Sequence, residues 1–350
     1  MTLSALGPRT LVLRSGRRSV RVRVRTVVVS VVVTVATALV AVLALSLGDL
    51  PLTPAQVLGA LLGVDGGFTA TVVREWRLPR VLAAVLFGAA LGASGAVFQS
   101  LTRNPLASPD VIGLSAGSYA GGLGAIILLG AGAGSVPVSA GAIVGGLAAA
   151  ALVYALSYRS GIQGFRLIVI GIGVSAMLQA LSTYLLLRAK LEVAMVAAVW
   201  GAGSLSAVGW AQFLPAAAVV VLAFGALGSF SGSLSRMELG DDAARALGVR
   251  VEAARLGLVV SAVALTAAVT AAAGPIAFVA LAAPQIAHRL TRTAGIAIVP
   301  SAAVGALVLV TADIVAQHAL PTALPVGLVT VVIGGAYLVW LLIHETRRRA

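Results

Sequence analysis

Ten stretches of this chain run close to membrane-spanning length with scarcely a charge inside them: 26–47, 79–100, 111–130, 136–158, 165–187, 211–230, 254–273, 275–290, 296–318 and 325–343. A hydrocarbon core of about 30 Å is crossed by roughly 20 apolar residues in a helix. The runs are continuous and do not alternate apolar with polar, which excludes a transmembrane barrel. The chain is therefore expected to be all-α, a polytopic membrane protein of about ten transmembrane helices spanning residues 26–346. Charged residues make up only 10% of the 350, against about 25% in ordinary soluble domains. The eighth run is short and follows Gly274-Pro275, so a half-span or a tilted helix is expected there. The first run is full length and lacks a small-residue cleavage site, so it reads as a retained span, with no cleavable signal peptide.

The formal net charge of +13 invites a nucleic-acid reading. Membrane topology accounts for it better, because basic residues gather in cytoplasmic loops. With both termini in the cytoplasm, five of the 24 Lys and Arg residues fall outside (Arg74, Arg77, Arg80, Arg188 and Lys190) and nineteen fall inside. Residues 1–25 are basic and lack helical periodicity, so a mostly disordered cytoplasmic tail beside anionic lipid is expected. The long outer connections are 48–78 and 188–210, the second with a short surface helix over Glu192–Trp200.

Several chemistries have no residues to carry them. The chain has no cysteine and only one lysine, Lys190, which lies in no Gly-x-x-x-x-Gly-Lys-[Ser/Thr] loop. If ATP drives this protein, a second chain must bind it. Ion-coupled carriers keep ionisable residues at mid-membrane. Here the main candidate, Asp313, lies towards the outer end of its span. No base is spaced to activate a serine, and His288, His318 and His344 form no metal-ligand pattern. No catalytic residue and no metal site is predicted, so the chain is not read as an enzyme.

Four segments remain as candidate sites. Glu238-Leu-Gly-Asp-Asp-Ala-Ala-Arg-Ala-Leu-Gly248 is a polar, helix-prone island within the loop 231–253. Gly240 and Gly248 break it, and Asp241 and Asp242 suit a helix start. Leu239, Ala243, Ala246 and Leu247 can share one face, so the island reads as a docking surface for a soluble partner or, blandly, as a solvated loop. Arg74-Glu-Trp-Arg77-Leu-Pro79-Arg80 opens the second span from outside, and its arginines either anchor at lipid headgroups or dock an acidic partner. Arg103-Asn104-Pro105-Leu106, followed by Ala-Ser-Pro-Asp110, makes a rigid cytoplasmic turn, structural or in contact with the same partner. Gly274-Pro275 through Phe278, Pro284 and Gln285 is a broken span, a candidate for gating or for lining a path. Gly88/Gly92, Gly117/Gly121 and Gly141/Gly145 are Gly-x-x-x-Gly pairs that suit close helix packing, or a path lined by bare backbone.

Together these motifs resemble the iron-siderophore and cobalamin ABC-importer permease family. Arg77-Leu-Pro-Arg80, Gln99 with Arg103-Asn-Pro-Leu106, Leu239-Gly-Asp-Asp-Ala with Leu247-Gly248, and Leu324-Pro-Val-Gly327 carry the resemblance, over about 48–346. Glu75-Trp76, Ser108-Pro-Asp110-Val, Gly171-Ile-Gly-Val174, Trp200 with Gly203-Ser-Leu205, and Gly334-Gly-Ala-Tyr337-Leu are most similar to its ferric-enterobactin branch, in the second (G-type) permease subunit. The resemblance implies an importer of a ferric siderophore, or of another chelate such as haem or cobalamin. It implies a second permease subunit, two copies of a cytoplasmic ATPase that bring ATP and Mg, and an external siderophore-binding protein. By position, Glu238–Gly248 would couple to the ATPase, and Arg77 and Arg80 would face acidic residues of the binding protein. The chain departs from the family at Ala280, Gln285, Gln317 and Ala323, where Gly, His, Arg and Glu are common.

Overall fold

Lipid offers no hydrogen bonds to a backbone, so each apolar run closes its own as a helix. The structure, a computed structural model, describes residues 10–15, 18–64, 66–110, 113–132, 134–157, 164–293, 295, 297–319 and 321–349. The helices are α1 (Val24–Ser46), α2 (Pro54–Leu62), α3 (Phe68–Thr71), α4 (Leu78–Thr102), α5 (Leu114–Leu129), α6 (Val136–Ser157), α7 (Gly164–Arg188), α8 (Leu191–Gly201), α9 (Trp210–Met237), α10 (Asp241–Ala246), α11 (Val251–Ala273), α12 (Val279–Thr291), α13 (Ile298–His318) and α14 (Val326–Arg349). Each of the ten expected spans carries a helix. Among the described residues, seven helical stretches are long and apolar enough to cross a membrane alone, with α5, α8 and the first half of α14 shorter but apolar.

Three elements differ from the sequence expectation. The basic tail pairs as an antiparallel hairpin, β1 (Thr10–Ser15) with β2 (Arg18–Arg23), in register Thr10↔Arg23 to Ser15↔Arg18. Its Val20 and Val22 alternate with arginines, a strand period that the search for helical periodicity overlooks. Residues 1–9 of that tail, with Val111 and Arg159, lie outside the described residues. The second span starts earlier than residue 79: α3 and α4 are joined through a π-helical stretch, Val72–Arg77, into one rod from Phe68. The outer connection before it holds α2, capped by the reciprocal Thr53–Gln56 box with Pro54 in its first turn.

The core gathers around α4, α11 and α13. Phe87 and Leu91 of α4, Leu258 and Leu265 of α11, and Leu309 of α13 are almost wholly enclosed. Without a hydrophobic drive inside lipid, close backbone contact and dispersion hold such helices together. The glycine pairs do this here. Gly121 of α5 faces Gly141 of α6 so closely that a Cβ on either would overlap the other's carbonyl oxygen, and Gly88 meets Gly305 of α13 the same way. The path-lining reading of these glycines has no counterpart in this packing. By contrast, Val28, Val31, Val32, Val35 and Leu39 of α1 are exposed, the face a lipid-bathed helix presents.

Candidate coupling and docking surfaces

The polar island folds as a separate short helix. Its flanking glycines hold φ angles of 113° at Gly240 and 79° at Gly248, the left-handed side that side-chain-bearing residues avoid. They let the chain leave α9, form α10 and turn into α11. Asp241 and Asp242 occupy the first turn of α10 and Arg245 its last, both matching the dipole. Ala244 is the buried anchor, with Val249 beneath the turn that follows. The face expected from sequence points away from the bundle: Leu239, Ala243, Ala246 and Leu247 are all exposed, the two leucines at 69% and 55%. Two such leucines on a charged loop form an apolar surface that water does not favour.

The turn Arg103–Leu106 lies against the same corner. Arg103 is left-handed at the end of α4, and its guanidinium donates to the Met237 carbonyl, 3.2 Å away, at the end of α9. Ser100 donates to the Glu238 carboxylate at 2.8 Å, and that carboxylate also rests on Gly295, between α12 and α13. The Asn104 side chain accepts from the Leu106 amide at 2.9 Å, closing the turn, and leaves Leu106 exposed beside Pro105. Both segments singled out on this side thus form one surface.

Further along this turn, Asp110 accepts from the Ser115 hydroxyl. Burial pushes its carboxyl up from the ordinary range, while the Ser115 hydroxyl and the Phe278 backbone pull it back.

Near the other end of α4 the arginines act within the chain. Arg74 donates to the Ala60 and Leu61 carbonyls, at 2.7 and 3.2 Å, at the end of α2. Arg77 donates to the Leu45 and Leu50 carbonyls at 2.8 and 2.7 Å. Arg80 makes a two-pronged pair with Asp313 of α13, at 2.9 and 2.8 Å. Arg77 and Arg80 are thus both held by partners within the chain: Arg77 by carbonyls, which leave its charge uncompensated, and Arg80 by a carboxylate. Both line a cavity of about 460 Å³, with Asp49, Trp76, Gln317 and His318.

The broken span is explained by its own residues. Residues Gly274 to Phe278 are not helical, and Phe278 is left-handed at φ 68°. The carbonyl at Ala273 that the break frees accepts from the Ser204 amide at 2.8 Å, and Gly203 accepts from Gly327 at 3.0 Å. Pro284 has no N–H, so the Ala280 carbonyl one turn earlier lacks its usual partner. That oxygen abuts Gly95 of α4 so closely that a Cβ would overlap it. Gln285 donates to Gln99 at 2.6 Å, and Gln99 donates to the Leu281 carbonyl at 3.0 Å. The unusual glutamine is thus half of a buried amide pair. Pro284 and Gln285 are buried and Pro275 and Phe278 half-buried, so in this conformation the segment is packed by protein.

Sequence reasoning missed three partners: Asp313 for Arg80, Gln99 for Gln285, and Arg255, which reaches α10 from α11. Only the last had a local signal, Glu252 three residues earlier. Among the described residues no three His, Cys, Asp or Glu side chains stand together as metal ligands.

Residues 21–344 match the FecCD transport family. Over 303 residues the chain is 47% identical to the ferric enterobactin transport system permease protein FepG of Escherichia coli, covering 86% of this chain and 91% of that one. It is 35% identical over 338 residues to the achromobactin transport system permease protein CbrC of Dickeya dadantii, covering 96% and 97%. A solved structure described as an inward-facing conformation of a metal-chelate type ABC transporter superposes with a TM-score of 0.78 at 28% identity, covering 91% of this chain and 99% of that one.

Proposed function

This chain belongs to the FecCD transport family, and we propose that it is the transmembrane permease subunit of an ATP-driven importer of ferric siderophores, of the catecholate, enterobactin-like kind. The observation that carries the reading is the exposed Leu239, Ala243, Ala246 and Leu247 face on a charged loop, set where α4 and α9 end and α11 begins. A cytoplasmic ATPase, present in two copies and holding ATP and Mg, docks on that face and on the neighbouring Leu106. Closure of the ATPase pair on ATP pushes the corner, and the push passes into α9 and α11. The bundle then opens inward. No chemistry is done on the siderophore, so the permease needs no cofactor and no catalytic group of its own.

The chain lies in the bacterial cytoplasmic membrane with both termini inside, paired with a second, distinct permease subunit. A siderophore-binding protein delivers cargo from outside, onto the rim around Arg77 and Arg80. An acidic side chain from that protein would share Arg80 with Asp313. The test is uptake of a ferric catecholate by a strain lacking only this gene, with and without the gene restored. Uptake that needs the gene and persists when an uncoupler collapses the ion gradients, ATP being maintained, supports the reading. Uptake lost with the gradients despite ATP overturns it.

A further inference from the structure

We infer that Arg255 is a positioning residue for energy coupling: it locks α10 to α11, so that force applied at α10 is delivered to the central span. The inference rests on the coupling role proposed for residues 238–248. Arg255 lies in the first turns of α11, yet its side chain is only 9% exposed. A charged side chain so enclosed at a water-facing end must be satisfied by partners. Arg255 has two: Asp241 at 2.6 Å, in the first turn of α10, and Glu252 at 3.2 Å, on its own helix.

The geometry makes the first contact the informative one. α10 is six residues long, with a left-handed glycine before it and another after it. A helix that short is marginal on its own, and a side chain at either glycine would meet nothing within 4 Å, so no packing there holds α10 in place. Its attitude is fixed by Ala244, a single methyl group in the core, by the Asp241–Arg255 pair, and more loosely by an exposed Arg245–Glu252 pair at 3.9 Å that also reaches α11. The exposed Asp242–Arg245 pair lies within α10 itself, and exposed pairs of this kind add little. Arg255 is therefore the polar strut between the partner-facing helix and α11. From there the span runs to the break at Gly274, packed on the way against α4 and α9.

Without the strut, α10 still binds the ATPase through its outward leucines but swivels on its glycines. Docking is kept and transmission is lost. That pairing separates a positioning role from a merely structural one, which would lower the amount of assembled complex and leave each complex normal.

The experiment compares Arg255→Ala, Arg255→Lys and Asp241→Asn in the complete importer, reconstituted with its ATPase and binding protein. The readout is siderophore transported per ATP hydrolysed, alongside ATPase co-purification and the affinity for loaded binding protein. For Arg255→Ala the expected result is full assembly, unchanged binding-protein affinity and at least a fivefold fall in transport per ATP, and for Asp241→Asn the same fall per assembled complex. Arg255→Lys, which keeps the charge but not the fork, is expected between these and the parent. Normal transport per ATP in Asp241→Asn overturns the inference even if the Arg255 variants fail to assemble. Leu239→Asp with Leu247→Asp tests the underlying reading separately. If the ATPase still co-purifies and transport is normal in that double variant, the coupling surface itself is misplaced.

Discussion

The Arg80–Asp313 pair decides whether the outer arginines are docking charges or struts, and it can be measured. Asp313 is 7% exposed at its side chain and Arg80 19%, so removing the arginine strands a nearly enclosed carboxylate. Breaking one side of a buried pair costs about 3–5 kcal/mol, and the partial exposure of Arg80 puts this case at the low end, about 3 kcal/mol. With an unfolding entropy of roughly 2 cal/mol/K per residue, as in soluble proteins, that is a fall of about 4 °C in Tm for a chain this long. Replacing both residues, as Arg80→Leu with Asp313→Leu, removes the stranded charge and restores most of the loss, because apolar replacements of a buried pair are often neutral. The assay is thermal unfolding of Arg80→Gln, Asp313→Asn and the double variant in mild detergent. A Tm for Arg80→Gln within about 1 °C of the parent would refute the strut, since the stranding penalty would be missing. If binding-protein affinity fell at the same time, Arg80 would serve docking rather than packing.

Other consequences follow from the packing. Gly95→Ala places a methyl group into the Ala280 carbonyl, and backbone cannot yield as a side chain can, so a loss of about 2–3 kcal/mol is expected. Gly124→Ala, which meets nothing, should show no such loss, and equal Tm values for the two would contradict the α4–α12 contact. Gln285→Leu leaves the buried Gln99 carbonyl oxygen unpaired and should cost about 1–2 kcal/mol. Adding Gln99→Leu should cost less than a second independent loss, which a double-mutant cycle on unfolding would read.

Much of this fold is legible in the sequence because lipid leaves the backbone few options. The spans, the short eighth helix after Gly274-Pro275 and the surface helix at 191–201 all follow from apolar length and breakers. The polar island also follows, down to its outward leucines, since two glycines bracket the stretch and two aspartates suit its first turn. The hairpin at Thr10–Arg23 was hidden because its strand period lies inside a basic tail that charge alone assigns to disorder. The partners of Arg80 and Gln285 were hidden for another reason. Asp313 is 233 residues from Arg80, and Gln99 is 186 from Gln285, and no local pattern reports contacts set by the packing of helices far apart in sequence. The arginines at 74, 77 and 80 were only half legible: the positive-inside trend marks them as exceptions, but it does not say whether the exception serves a partner or the helix ends of the chain itself.

The central claim is that this permease moves a ferric catecholate by ATP hydrolysis in a separate subunit docked at residues 238–248. Its most direct test is uptake of a radiolabelled ferric catecholate into proteoliposomes holding the complete importer, with ATP inside or outside and no ion gradient. Uptake is expected only with binding protein on one face and ATP on the other, abolished by Leu239→Asp with Leu247→Asp. Uptake without ATP, driven by an imposed proton or sodium gradient, would contradict it.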